Sequence, residues 1–386
     1  MAAGAPLTQV GPRVALVCDW FLPRMGGIEL HLRDLALRLR ATGADARIVT
    51  STRGPSVVDG VPVHRIHVPL LPCAGVAVSA ALPGTIANVL RAESFDVVHA
   101  HASVVSPVAY AGAIAGVREG LPTVLTFHSM LHATSMLIGA SDALTGWTRR
   151  MVLSGVSSVV AAQAARWMPG ASVGVLSNAI DTSFWQGTQR LDLPDGAHFV
   201  SAMRLSRKKR PQALVRAFAA AVRFVAGAPE MRLTIAGDGP ERAAVARLST
   251  ELGVADRVAL VGQRTREELR ALYATAHAFV LPSERESFGI AALEARAAGL
   301  PVIAMLGGGA RDFIVPGVNG LLARDERELS AFIARLAIDV PLRRFIAHRN
   351  TTAPVEYDWA AVVRAHRGIY DAAAVARDTP SRASHA

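Results

Sequence analysis

Short apolar runs that do not alternate with polar residues recur along this chain, each followed by a stretch with helical spacing, and the series starts over after a polar break near the middle. Runs at 14–18, 47–50, 61–66, 97–101 and 123–128 read as strands. A strand without polar alternation is buried on both faces, which implies a mostly parallel sheet covered by helices. From Ile28 a helix carries Leu32, Leu35, Ala36 and Leu39 on one face and stops at Gly43. After Phe184 and Trp185 the chain turns polar over 186–195, which reads as a linker. Strands then resume at 198–203, 231–236, 258–261, 278–281 and 301–305, with helices expected at 212–226, 241–252, 267–276 and 289–298. The expected fold is α/β, with two doubly wound domains at 1–185 and 186–355 facing across a cleft. Ligands of such sheets sit at the carboxyl ends of the strands.

A chain of 386 residues is too long for one typical core and comfortable for two, and its 51% apolar content suits a folded globular protein. Cys18 and Cys73 are the only cysteines; they give neither a disulfide framework nor a metal-binding spacing, so a reducing, cytoplasmic compartment is expected. The start of the chain lacks a basic segment followed by an apolar core, so no signal peptide is expected. The run 66–90 holds no Asp, Glu, Lys or Arg, but Pro69, Pro72 and Pro83 argue against a spanning helix. It reads as strand, loop and helix of the core; a surface-lying apolar segment is the other reading.

The formal charge of +10 is nearly all arginine, since Lys208 and Lys209 are the only lysines among 41 basic residues. GC-rich coding explains heavy Arg and Ala use, and against that background a surviving ammonium suggests a functional role. The positive balance suits phosphates or an anionic membrane surface. Nucleic acid is not expected, because no zinc finger, aromatic-and-basic strand or basic block beyond 207–210 is present.

The densest chemistry lies at 283–294. A buried strand, a polar loop and the start of an Ala-rich helix meet there, so the unpaired N–H groups around Ser287, Phe288 and Gly289 form an anion seat. Glu286 and Glu294 flank it; carboxylates repel phosphate but accept hydrogen bonds from sugar hydroxyls. A ligand with phosphate between two hydroxylated rings fits, which describes a nucleotide-sugar. The loop 204–211, with Arg204, Arg207, Lys208, Lys209 and Arg210, follows a strand and precedes a helix, a place that suits a diphosphate gaining charge as its sugar leaves. Gly26 and Gly27 let backbone approach a ligand before a helix start. His99, His101 and His128 lie at strand ends, with His128 at the edge of the expected cleft. Asp238 has no second carboxylate nearby, and no metal site is expected.

Taken together, these residues resemble the family-4 retaining glycosyltransferases of the GT-B fold, over nearly the whole chain. Glu286 and Glu294, with Ser287, Phe288 and Gly289 between them, match the family's Glu-x7-Glu motif; Arg204 and Lys209 match its basic pair; Gly26 and Gly27 match its glycine loop, and His128 its first-domain histidine. Segments 177–181, 308–312 and 317–322 match the linker and downstream elements. Met203, Arg210-Pro211 and Asp312 depart from the usual residues. The resemblance implies two Rossmann-like domains and a closing helix at 356–377 that returns to the first domain; the terminal residues 378–386 read as a disordered tail. It also implies metal-free, cofactor-independent transfer with retention of configuration, with a nucleoside-diphosphate sugar as co-substrate. Arg204 and Lys209 would hold the leaving diphosphate, Glu294 the ribose and Glu286 the donor sugar, while His128 would line the donor–acceptor junction.

The implied activity is that of a hexosyltransferase acting with GDP-mannose, UDP-glucose or UDP-N-acetylglucosamine. Its acceptor would be a lipid or glycan hydroxyl in cell-envelope synthesis. Segments 18–29 and 61–65 resemble the first domain of enzymes that glycosylate phosphatidylinositol, and a lipid acceptor would account for the apolar segments 66–90 and 130–137. A cytoplasmic protein with peripheral contact at the inner membrane face is expected. Two rival readings are a nucleotide-sugar epimerase, which would need acid–base carboxylates in the first domain, and a non-catalytic nucleotide-sugar binding protein.

Overall fold

The computed structural model describes residues 11–71, 76–77, 79–131, 136–169, 171–189, 191, 196–225 and 230–378. Cys73, residues 132–135 of the segment 130–137, the linker residues 192–195 and the tail 379–386 lie outside the described residues. The chain divides into two compact units, Met1–Asn178 with Trp359–Ala386, and Ala179–Asp358.

In chain order the first unit contains β1 (Arg13–Cys18), α1 (Gly27–Ala41), β2 (Asp45–Thr50), β3 (Val57–Val58), β4 (Val61–Arg65), β5 (Leu70–Leu71), β6 (Val76–Ala77), α2 (Leu82–Ala92), β7 (Val97–Ala102), α3 (Pro107–Arg118), β8 (Thr123–Phe127), α4 (Met136–Thr145), β9 (Val152–Gly155), α5 (Ser158–Trp167) and β10 (Val173–Val175). Its main sheet runs β10-β9-β8-β7-β1-β2-β4-β3, and only the β3–β4 pair is antiparallel. Val14, Ala15, Leu16 and Val17 on central β1 are buried without interruption, as a strand covered on both faces requires. Leu32, Leu35, Ala36 and Leu39 form the buried face of α1. The sequence reading missed β9 and β10, short strands whose Ser154, Gly155 and Gly174 break the apolar pattern.

The second unit contains α6 (Thr182–Gln186), β11 (Ala197–Ala202), α7 (Pro211–Phe224), β12 (Met231–Ala236), α8 (Arg242–Glu251), β13 (Val258–Gly262), α9 (Arg266–Ala274), β14 (Ala278–Leu281), α10 (Ile290–Ala297), β15 (Val302–Met305), β16 (Gly320–Ala323), α11 (Glu326–Ile338) and α12 (Val340–Thr352). Its sheet order is β13-β12-β11-β14-β15-β16, all parallel. This is the doubly wound order in which winding reverses between β11 and β14, and the crevice at such a reversal is where these sheets bind ligands. The unit begins before the boundary expected at 185/186. Trp185 is buried against Tyr273, with ring centroids 5.5 Å apart, so α6 belongs to this core despite the polar residues after it.

The last helix, α13 (Trp359–Asp378), belongs to the first unit. Trp359 stacks on His31 of α1 at 5.2 Å, and the Tyr370 hydroxyl lies 3.1 Å from His99 Nδ1. No helix among the described residues is long and apolar enough to cross a membrane.

Candidate active site

Both loops at the reversal of the second sheet are held by backbone. After β11, Met203 N–H donates to Ala236 O (3.0 Å), Leu205 N–H to Asp238 O (2.9 Å) and Glu241 N–H to Leu205 O (3.0 Å). Gly237 makes this docking possible: its φ is +126° and a Cβ there would stand 1.8 Å from Met203 O. After β14, Gly309 N–H donates to Glu286 O at 2.8 Å, and a Cβ on Gly309 would stand 2.2 Å from Ser287 O. The turn at Gly308-Gly309 thus backs the loop that carries Glu286.

The two loops meet through side chains. Lys209 Nζ donates to Glu286 Oε2 at 2.6 Å, with the lysine 30% and the glutamate 12% exposed. Ser283 Oγ donates to Lys209 O (3.3 Å), and Arg210 pairs with Glu284. Arg204 is exposed and forms no ion pair among the described residues. One guanidinium therefore remains open to an incoming anion while the neighbouring ammonium is held by a carboxylate.

Gly289 adopts φ +95° at the N-cap of α10, turning the chain so that the first N–H groups of the helix adjoin the same loops. Glu294 is buried on α10. The Phe288 side chain is buried between Phe313 (5.6 Å) and Tyr357 (5.5 Å), which leaves its backbone N–H, the group expected in the anion seat, as the part available for binding. Ser287 stays partly exposed. The sequence reading missed the structural role of Gly308-Gly309 and the ion pairing of Glu286 with Lys209; a spacing of 77 residues offers no local signal for such a pair.

In the first unit the reversal lies between β1 and β7. Asp19, directly after β1, accepts hydrogen bonds from Val108 N–H (3.0 Å) and Ala109 N–H (3.3 Å), anchoring the start of α3. Burial nevertheless pushes its carboxyl pKa up to about 6. Gly26 and Gly27 lead into α1; a Cβ on Gly26 would stand 2.3 Å from Glu29 Oε2, whereas around Gly27 nothing lies within 4 Å of one. Gly27 is thus the position with room for a ligand.

His128 directly follows β8, with its ring buried and its Nε2 2.9 Å from His101 Nδ1. Because His99 and His101 stand two residues apart on β7, their rings share one face, with centroids 4.0 Å apart. His31 from α1 and His366 from α13 complete the cluster. Burial pushes His128 down to about 3 and His366 to about 4, and holds His31, His99 and His101 well below the usual histidine range. These rings are neutral at pH 7. His101 Nε2, His128 Nδ1, His31 Nδ1 and His366 Nε2 are buried without a hydrogen-bond partner. Among the described residues no group of three His, Cys, Asp or Glu side chains is placed to hold a metal ion.

Residues 25–184 match the family model described as Glycosyltransferase Family 4, and residues 189–350 the one described as Glycosyl transferases group 1. A protein of Thermomonospora curvata named D-inositol 3-phosphate glycosyltransferase is 30% identical over 365 residues, covering 83% of this chain and 84% of the relative. One of the same name from Stackebrandtia nassauensis is 28% identical over 99% of this chain and 96% of its own length. Anabaena HepE, solved in complex with UDP and glucose, shares the fold with a TM-score of 0.72 at 19% identity, covering 93% of this chain and 99% of that one.

Proposed function

The chain belongs to the family-4 glycosyltransferases, and from that premise we propose that it moves a hexose-type sugar from a nucleoside-diphosphate sugar to a lipid or glycan hydroxyl with retention of configuration. The observation that carries the donor side is the junction of Lys209 and Glu286 beside exposed Arg204, at the point where the second sheet reverses its winding. Only a ligand with both anionic and hydroxylated parts uses such a junction fully.

In this reading Arg204 and Lys209 neutralise charge that develops on the diphosphate as its bond to the sugar breaks, aided by N–H groups at 287–289. The cations and the helix start supply what a metal would otherwise supply, so transfer is metal-free. Glu286 orients Lys209 before the donor arrives and then accepts hydrogen bonds from donor-sugar hydroxyls. Glu294 holds the ribose. His128 serves as a neutral ring on the acceptor side; its low pKa removes it from any role as a cation at pH 7. Because the relatives are named for D-inositol 3-phosphate, phosphorylated polyols belong among the acceptors to be tried. A role in cell-envelope synthesis at the inner membrane face follows from a lipid-linked acceptor.

The test is thermal stabilisation of the purified protein by GDP-mannose, UDP-glucose and UDP-N-acetylglucosamine with chelator present, followed by product analysis with the best donor. Stabilisation by one donor and a product of unchanged anomeric configuration are expected. If no donor stabilises the protein and Glu294→Ala changes nothing, the reading is wrong.

A further inference from the structure

A cavity of about 280 Å³ opens at the carboxyl ends of β2 and β4, lined by Ser51, Arg53, Arg65 and His67 together with apolar residues 66, 68 and 69. The two strands are parallel neighbours, with Thr50 opposite Arg65. Arg65 is fixed entirely by neutral carbonyls: Nη1 donates to Thr52 O (2.8 Å), Nη2 to Leu22 O and Pro55 O (both 2.9 Å), and Nε to Pro55 O (3.1 Å). Its cation also lies 5.9 Å over the Phe21 ring. Arg53 and His67 are exposed beside it, and no carboxylate among the described residues pairs with any of the three. A fixed guanidinium without a counter-charge, next to a second guanidinium and an imidazole, calls for an anion from solution. Volume and chemistry suit a phosphate ester, since guanidinium groups match phosphate oxygens and the flanking Ile66, Val68 and Pro69 accept an apolar or polyol stem.

The pocket shares its sheet edge with the other features of the first unit. Residues 19–26 follow β1 and His128 follows β8, and strands about 4.8 Å apart put the pocket roughly 5–10 Å along the edge from β1. We propose that this pocket binds the phosphate of the acceptor, or of the lipid that carries it, and so anchors the acceptor beside the loop of Gly26 and Gly27. The assignment rests on reading the first unit as the acceptor side.

The full chain is titrated with glycerol 3-phosphate, and separately with phosphatidylcholine vesicles with and without phosphatidylglycerol, using wild type, Arg53→Glu, His67→Ala, Arg204→Ala and Arg207→Glu. Arg53 and Arg207 are surface residues, so their variants should fold; Arg207 serves as a charge control in the other unit. Arg53→Glu is expected to weaken binding about tenfold or more, as loss of a charge-assisted contact does, and to leave nucleoside-diphosphate affinity unchanged. Binding of glycerol 3-phosphate assigns the pocket to a soluble acceptor, and binding confined to phosphatidylglycerol vesicles assigns it to a headgroup. Absence of both, or a loss that follows Arg204→Ala or Arg207→Glu as much as Arg53→Glu, overturns the proposal. Phosphate binding that persists in a protein with no nucleoside-diphosphate affinity would separate this pocket from the failure of the transferase reading.

Discussion

Lys209 Nζ and Glu286 Oε2, 2.6 Å apart, join the loop after β11 to the loop after β14 and so bridge the reversal of the second sheet. Gly237 lets the first loop dock and Gly309 backs the second, so the pair is held from both sides. Such support limits how far either charge moves when a ligand enters, and fixed charges stabilise a transition state better than mobile ones.

Arg204→Ala and Lys209→Ala should therefore each lower kcat for sugar transfer by about a hundredfold to a thousandfold. Arg207, 94% exposed in the same basic loop, should tolerate alanine with kcat and thermal midpoint unchanged. Steady-state kinetics with a saturating donor distinguish these cases. Equal losses at Arg204 and Arg207 would mean that the loop contributes only a diffuse field.

Acidification should unfold the first unit. Its buried histidines have folded pKa values below 6.5, so the unfolded chain binds more protons and stability falls as pH drops below about 6.5. A single such ring, with a folded value of about 3 or 4, loses about 2 kcal/mol by pH 5. Asp19 works the other way: raised to about 6, it favours the folded state as pH falls toward 4, by about 1.4 kcal/mol at pH 5. His31, His99, His101, His128 and His366 together outweigh it. Urea midpoints measured between pH 7.5 and 5 should decrease steadily; a flat profile contradicts the neutral cluster.

The alternation of apolar runs and helices disclosed both doubly wound units, because strands such as β1 and β14 are buried on both faces and carry an unbroken apolar signature. Glu286, Arg204 and Lys209 stood out as candidates because they fall in loops after strands, where such sheets face ligand, and Glu294 because it lies on the helix that follows Glu286. The link between Lys209 and Glu286 was not, since nothing local records a contact across 77 residues. Nor was the cluster of His31, His101, His128 and His366, whose members come from α1, β7, the end of β8 and α13 and meet only in three dimensions. The packing of the Phe288 side chain on Phe313 and Tyr357 was not legible either, since the motif marks only the backbone N–H of that residue as part of the expected anion seat.

Two glycine substitutions should separate folding from chemistry. In Gly309→Ala the new methyl meets backbone, Ser287 O at 2.2 Å and Phe288 Cα at 2.8 Å, so the loop carrying Glu286 must shift. A loss of roughly 1–3 kcal/mol is expected for such overpacking, with weaker nucleoside-diphosphate binding. In Gly27→Ala nothing lies within 4 Å of the methyl, and alanine suits the start of α1. The thermal midpoint should hold or rise slightly, while transfer falls if ligand approaches backbone there. Full activity in Gly27→Ala would remove that residue from the site.

Trp359 gives the sharpest test of the closing helix. It is 7% exposed and stacks on His31 of α1, and further along α13 the Tyr370 hydroxyl meets His99, whose Nε2 lies 2.7 Å from Thr126 Oγ1. Losing the indole removes the stack and opens the buried histidine rings to water, so Trp359→Ala should cost about 3–5 kcal/mol, the usual range for a buried tryptophan. Water entry also restores the histidines toward their ordinary pKa. The variant should then lose less additional stability between pH 7.5 and 5 than wild type does, although it starts lower. Parallel urea titrations of the two proteins measure both effects, and an unchanged pH slope would show that the rings are buried by the sheet and α1 without help from α13.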